Sequence, residues 1–288
     1  MKLFKKLGIL TLLLASVATA PFASAATSPS TGAASKFVIL SSTYSNTVGG
    51  TTLNGDLGYT VPPATNPTVN GATHVADSVY NQAGIDQGSA LSNLNNQPCS
   101  FSFAPGPIDL ASDTTHGPVG VYTPGVYCAA GAASIGGGGT VTLNGAGTYI
   151  FRMDGALNSS ANSIVALANG ASACNVWWTP TAATTLGANS TFVGTDIDAS
   201  GITIGNTVTW NGQALAFGGT VSTTSDTISA AACSATSSAT PAAAKVTTPK
   251  LPNTAFGSET AFNSSVAAAI AAVVAITATL IYVIRKKA

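Results

Sequence analysis

Charge is what this sequence has least of. Only 7% of its 288 residues are Asp, Glu, Lys or Arg, against about 25% in an ordinary soluble domain. Ten basic and ten acidic residues cancel to a formal charge of zero, so the basic surface that docks to a nucleic-acid backbone is missing and no nucleic acid is expected as a partner. Histidine is as scarce, with only His74 and His116 in the chain. His116 is placed to pair with Asp113 and His74 to open or cap a helix, but no serine or cysteine elbow accompanies either, which removes the usual nucleophile arrangements. The glycine run at 136–139 lacks the Lys-Ser/Thr that follows in a phosphate cradle and reads as a turn. A glycan-cleaving groove needs clustered acids and bases. Arg152 has only Asp154 beside it, an expected surface pair. The chain is read as non-enzymatic, without catalytic residues, metal or cofactor. Disorder is excluded too, because 45% of the residues are hydrophobic.

The few charges are also unevenly placed. Lys2, Lys5 and Lys6 precede an apolar run and Ala23-Ser24-Ala25, which marks residues 1–25 as a secretory signal peptide; residues 26–35 form a linker to the body. At the other end, residues 266–284 are an uncharged run of 19, long enough as a transmembrane helix at about 1.5 Å per residue. The basic tail at 285–288 stays cytoplasmic. Residues 234–250, built from Ser, Thr, Ala and Pro, read as a flexible tether. The motif at 251–255 (Leu251, Pro252, Asn253, Thr254, Ala255) resembles a sortase sorting signal of the Leu-Pro-x-Thr-Gly type, with Ala255 where Gly is expected. That resemblance implies sortase and the cell envelope as partners; an uncleaved membrane anchor through the C-terminal helix is the alternative. Either way the expected location is the cell surface, with the protein exported and anchored by its C-terminus to wall or membrane.

Between the two ends the basic residues are Lys36 and Arg152, facing nine Asp and no Glu. Aspartate suits turns and loops better than helices. Asp196 and Asp198, two apart on a strand, share a face as two solvated carboxylates; the alternative is a hard cation held with backbone oxygens. The four cysteines, Cys99, Cys128, Cys174 and Cys233, all lie in the exported part and imply two disulfides. Of three possible connectivities, the shorter loops, Cys99 with Cys128 and Cys174 with Cys233, are favoured. No Cys-x-x-Cys pair is present, so zinc is not indicated.

What the body has in quantity is threonine, serine and short β-type segments broken by Gly, Asn and Pro. Thr52-Leu53-Asn54-Gly55, Thr142-Leu143-Asn144-Gly145 and Thr209-Trp210-Asn211-Gly212 form a loose repeat, each setting an apolar residue before a turn. Their spacing suggests stacked rungs of about 20 residues. Leu186, Phe192, Ile197, Ile202, Ile204, Val208 and Val221 alternate with polar residues as strands with an apolar inward side require. One helix is predicted over residues 72–94, with Val75, Val79, Ala83, Ala90, Leu91 and Leu94 on its apolar stripe and Gly84 and Gly88 weakening it. These readings give an all-β solenoid over residues 36–233 with a helix alongside.

The segments FVILSSTYSNTVGGTTLNGDLG (37–58), GVYTPGVYC (to Cys128), TVTLNGAGTYIFRMDGAL (to Leu157) and ACNVWWTPTAATTLGANSTFVGTDIDASGITIGNTVTWNGQALA (to Ala216) carry a further signal. Over about residues 36–230 the chain resembles the ice-binding-protein-like adhesin family. The resemblance implies a discontinuous, right-handed β-helix of triangular cross-section with one long α-helix packed parallel to its axis. It also implies an ice crystal surface as partner, bound by a flat Thr/Ser-rich face. Threonine offers ordered water both a methyl group and a hydroxyl. Candidate contacts are Thr43, Ser45, Thr191, Thr195, Thr207, Thr209, Thr220 and Ser222, from alternating runs, and Thr181 and Thr184, from the family's Thr-Ala/Gly-x-Thr/Asn pattern. The alternative function is a surface adhesin that binds a glycan or another cell, with Tyr122, Tyr127 and Trp178 as its aromatic platform.

Overall fold

The computed structural model describes residues 25–233. The expected signal peptide, tether, 251–255 motif, transmembrane helix and basic tail all fall at or beyond its ends and lie outside the described residues. Among the described residues no helix is long and apolar enough to cross a membrane.

Among the described residues twenty strands form one parallel, coiling sheet in which each strand pairs with strands one rung away, as a β-solenoid requires. The pairings fall into three ladders. One runs through Phe101–Ser102, Gly125–Ala129, Tyr149–Met153 and Val176–Pro180. It continues through the end of Thr191–Ile197, the middle of Thr209–Thr223, the start of Phe37–Asn46, Asp56–Tyr59 and Thr73–Val75. Stacked rungs bury the inward side chains on one another. Tyr127 and Phe151 lie 5.2 Å apart between ring centroids, Phe151 and Trp178 4.4 Å, Trp178 and Phe192 5.2 Å, and Phe192 and Trp210 5.0 Å. Each buried indole N–H is satisfied: Trp178 donates to the Val193 carbonyl and Trp210 to that of Gly194, both at 2.9 Å. Tyr122, Tyr127 and Trp178 all belong to this core, so the aromatic platform expected of a glycan binder is not at the surface.

The outward side of this ladder is apolar as well. Val126, Ile150, Trp177, Ile197, Leu215, Phe37 and Leu40 make a second cluster with Tyr80, Ala83, Ala90 and Leu94 of the helix, because an apolar strand face must be covered. The helix spans Ser78–Asn95 rather than 72–94. Thr73–Val75 is drawn instead into pairing with Asp56–Tyr59, and Asp77 caps the helix by accepting from the Tyr80 amide at 2.8 Å. His74 therefore sits on a strand and bonds Asp77 through Nδ1. The buried stripe is Tyr80, Ala83, Gly84, Gln87, Ala90 and Leu94, while Val75 and Val79 are exposed. Ala83, Ala90 and Leu94 keep the expected stripe, while Tyr80, Gly84 and Gln87 replace Val79 and the strand residue Val75.

Both disulfides form on the shorter loops, Cys99 with Cys128 and Cys174 with Cys233. Arg152 does not pair with Asp154; its Nη1 donates to the Gln97 carbonyl at 2.8 Å. His116 is buried, one ring nitrogen on Asp113 and the other 2.9 Å from the Val121 carbonyl. Burial pushes the Asp113 carboxyl up, but hydrogen bonds from His116 and Thr115 prevail and hold it below the usual range.

Candidate functional site

The helix covers one ladder and leaves two with open outward sides. On the first of these, register places Thr140, Ile164, Thr191, Thr209, Thr227, Thr52 and Thr68 side by side on successive rungs. All are exposed except half-buried Thr52. The next residue on six of these rungs, Val141, Val165, Phe192, Trp210, Ile228 and Leu53, points into the core and is at most 1% exposed, and Val69 after Thr68 is half-buried. Alternation along each strand thus separates a core layer from a threonine column.

A common corner sets every member of the column but Thr68. The residue two positions earlier has a left-handed φ: Gly138 at 67°, Asn162 at 61°, Asn189 at 58°, Thr207 at 59°, Ser225 at 56° and Gly50 at 101°. Glycine and asparagine accept that conformation readily, serine less so and threonine least. The residue between corner and column is turned inward: Ser163, Ser190, Val208, Asp226 and Thr51 are all buried. The pattern is therefore a left-handed corner, a buried residue and an outward threonine.

Beside this column Asn211, Ser229 and Asn54 stand in register as a second one, which ends on the buried Val193. Its amides are tied across rungs, Asn70 donating to Asn54 at 2.8 Å and Asn54 to the Ser229 hydroxyl at 2.9 Å. Neighbours within a column stand about 4.8 Å apart and the two columns about 6.6 Å apart. Neither column contains a charged residue. The result is a two-dimensional lattice of short side chains, with hydroxyls and methyls along one line and Asn211, Ser229 and Asn54 along the other.

The other open ladder presents one outward column, Ser134, Asn158, Thr185, Thr203, Ser222 and Ser45. Asp109 pairs with Ser134 at its end.

The ten residues expected at the site are scattered by this register. Thr191 and Thr209 lie in the threonine column. Ser45 and Ser222 lie on the other open ladder, with Thr43 opposite Thr220 two residues earlier. Thr181 follows a strand and Thr207 is a corner, its hydroxyl bonded to Asn189. Two expectations are corrected. Thr184 is fully buried, and Thr195 is turned under the helix, its hydroxyl on Gln213 at 3.1 Å; neither meets an external surface. The column members missed by alternation alone are Thr52, Thr68, Thr140 and Thr227. The corner pattern ahead of Thr52, Thr140 and Thr227 is the signal that finds them.

A family model described as ice-binding-like matches residues 38–229. An ice-binding protein of Flavobacterium frigoris (strain PS1) is 28% identical over 200 residues, covering 64% of this chain and 70% of the relative. One of Nostoc sp. (strain HG1) is 28% identical over 210 residues, covering 69% and 72%. Among solved structures, an ice-binding protein from the Antarctic ascomycete Antarctomyces psychrotrophicus superposes with a TM-score of 0.62 at 26% identity, covering 70% of this chain and 98% of that one.

Proposed function

Because the chain belongs to the ice-binding-like family, we propose that it adsorbs to ice through the threonine column and the amide column beside it. The observation that carries this reading is the register of six threonines with Ile164 over seven successive rungs. Each threonine methyl favours ordered water around it while the hydroxyl fixes one water by hydrogen bonding. Repetition at rung spacing turns such waters into an array instead of isolated sites. The lack of long charged side chains keeps the array undisturbed, and the Asn54, Asn70 and Ser229 relay holds its amides in one rotamer each. A right-handed coil of triangular cross-section would make the three ladders three flat walls, one under the helix and two open.

The same reading places the protein at the cell surface. A leader at residues 1–25 exports it, and the 251–255 motif, the apolar run at 266–284 or both hold the solenoid outside on the 234–250 tether. A surface-held solenoid of this kind fastens the cell to ice or modifies ice close to it.

The test is ice-recrystallisation inhibition and ice-plane affinity of the purified protein, with Thr209→Tyr and Thr227→Tyr in the column and Thr185→Tyr and Thr203→Tyr on the other open ladder as controls. The column pair is expected to lose activity at unchanged melting temperature while the controls keep it. Loss in the control pair alone moves the site to the other ladder, and no activity in the parent protein ends the ice-binding reading.

A further inference from the structure

Asp196 and Asp198 are not the solvated pair that the sequence suggests. Asp196 stands in register with Trp178 on one side and Ala214 on the other, so its side chain enters the core. It is 0% exposed, as is Thr184, and Asp198 is 1% exposed. Both carboxylate oxygens of Asp196, Oδ2 of Asp198 and the Thr184 hydroxyl are buried without a hydrogen-bond partner. Thr184 nonetheless lies against both carboxylates. The remaining oxygen of Asp198 accepts from the Ser200 amide at 2.8 Å.

Buried carboxylates need a counter-charge, and this domain has almost none to give. Lys36 and Arg152 are the only Lys or Arg between residues 26 and 233, and Arg152 is engaged at Gln97. Among the described residues the ion pairs join His74 to Asp56 and Asp77, and His116 to Asp113. The charge on Asp196 and Asp198 is therefore met by a proton or by a metal ion. Burial raises both carboxyls, Asp196 further through its neighbour Asp198, which is compatible with either. A shared proton joins two oxygens, whereas three groups converge here, the two carboxylates and the Thr184 hydroxyl, and a hard cation uses all of them. The Thr184 hydroxyl is an independent pointer: it is a neutral, hard donor, fully buried and directed at the acidic pair.

We propose that Asp196, Asp198 and Thr184 form a structural site for one hard divalent cation, calcium by preference, inside the solenoid. Two carboxylates neutralise such an ion, and an all-oxygen donor set is what calcium takes. Asp196 belongs to strand Thr191–Ile197, whose first residue is Thr191 of the threonine column, so the ion would brace the rung from within.

The test starts from the whole protein stripped with a chelator and titrated separately with calcium and magnesium chloride. One calcium per chain by isothermal titration, with a rise of several degrees in melting temperature that the chelator reverses, is the expected result. Thr184→Val should fold and move the calcium midpoint to higher concentration. The Asp196→Asn and Asp198→Asn double variant should fold without metal and respond to neither calcium nor chelator. If that double variant does not fold, the calorimetric titration of the parent and of Thr184→Val decides alone. The proposal is overturned if the parent binds neither ion and keeps its melting temperature in chelator. It is equally overturned if the metal-free parent loses stability only as pH rises, which assigns the counter-charge to protons.

Discussion

Gly84 of the helix lies flat against the ring of Phe217, so close that a β-carbon there would overlap the aromatic edge. The helix can approach the strand Thr209–Thr223 at this point only because the side chain is missing. Gly88, one turn later, has open space where its β-carbon would stand. The two glycines look alike in sequence and have opposite reasons for being there. Gly88→Ala should stabilise the protein by about 1 kcal/mol through helix propensity, whereas Gly84→Ala should destabilise it by about 1 to 3 kcal/mol through overpacking. Urea denaturation of the two single variants checks both signs; a gain in Gly84→Ala would show that the helix rides over the extra methyl freely.

Thr207 occupies a left-handed corner that Asn189 and Asn162 fill elsewhere. A β-branched residue at that φ is strained by about 1 to 3 kcal/mol. Thr207→Asn should recover part of this, raising the melting temperature while leaving ice activity intact, since the corner precedes the column. An unchanged or lower melting temperature would mean that the Thr207 hydroxyl bond to Asn189 outweighs the strain.

Ile164 interrupts the threonine column and is 41% exposed. Because its side chain projects outward, Ile164→Thr should fold normally and extend the hydroxyl line without a gap from Thr140 to Thr68. Ice-recrystallisation inhibition is expected at a lower protein concentration than for the parent. A weaker variant would indicate that the bulk at this position, and not the hydroxyl line, contacts ice.

Asp226 sits buried between the corner Ser225 and the column residue Thr227, accepting from the Val208 amide at 2.8 Å and the Thr224 amide at 2.6 Å. Burial outweighs these bonds and pushes its carboxyl up to about 6 from 3.8. The folded state thus holds a proton that the unfolded chain has released, so this contribution is full in acid and is lost as pH rises from about 4 through about 6. Asp77, Asp86 and Asp113 are held below the ordinary value, and their stabilisation is lost on the acid side of that window. Melting temperatures from pH 4 to 7 should fall less steeply for Asp226→Asn than for the parent, and parallel curves would refute the assignment.

Much of the solenoid was legible in the sequence because burial selects residue type directly. Leu186, Phe192, Ile202, Ile204, Val208 and Val221 read as inward and are so. The threonine column was not legible as a column, since rung length varies. From Thr140 through Ile164, Thr191 and Thr209 to Thr227 the steps are 24, 27, 18 and 18 residues, and from Thr52 to Thr68 the step is 16. A search for one period blurs them, and Thr142, from the most obvious repeat, stands two residues out of line with Thr52 and Thr209. Thr191 and Thr195 share a strand and a parity, yet one is exposed and the other covered. The strand Thr191–Ile197 begins in the threonine ladder and ends in the ladder beneath the helix. Alternation is a property of a straight strand, and this one bends from one ladder into the next.

Phe37–Asn46, the first strand, pairs on one edge with Asp56–Tyr59 and on the other with Thr209–Thr223. The chain therefore starts in mid-stack, leaves along the helix, and returns to close against its own beginning more than 170 residues later. Such a ring of contacts cannot be completed in the order of synthesis. Until residue 223 is available, the opening strand keeps one edge unpaired, and long-range closure of this kind is slow and exposed to misassembly. A chain delivered from its N-terminus can lay the threonine line from Thr140 to Thr209 in order, but Thr52 and Thr68 join it only when the rung of Thr227 has arrived.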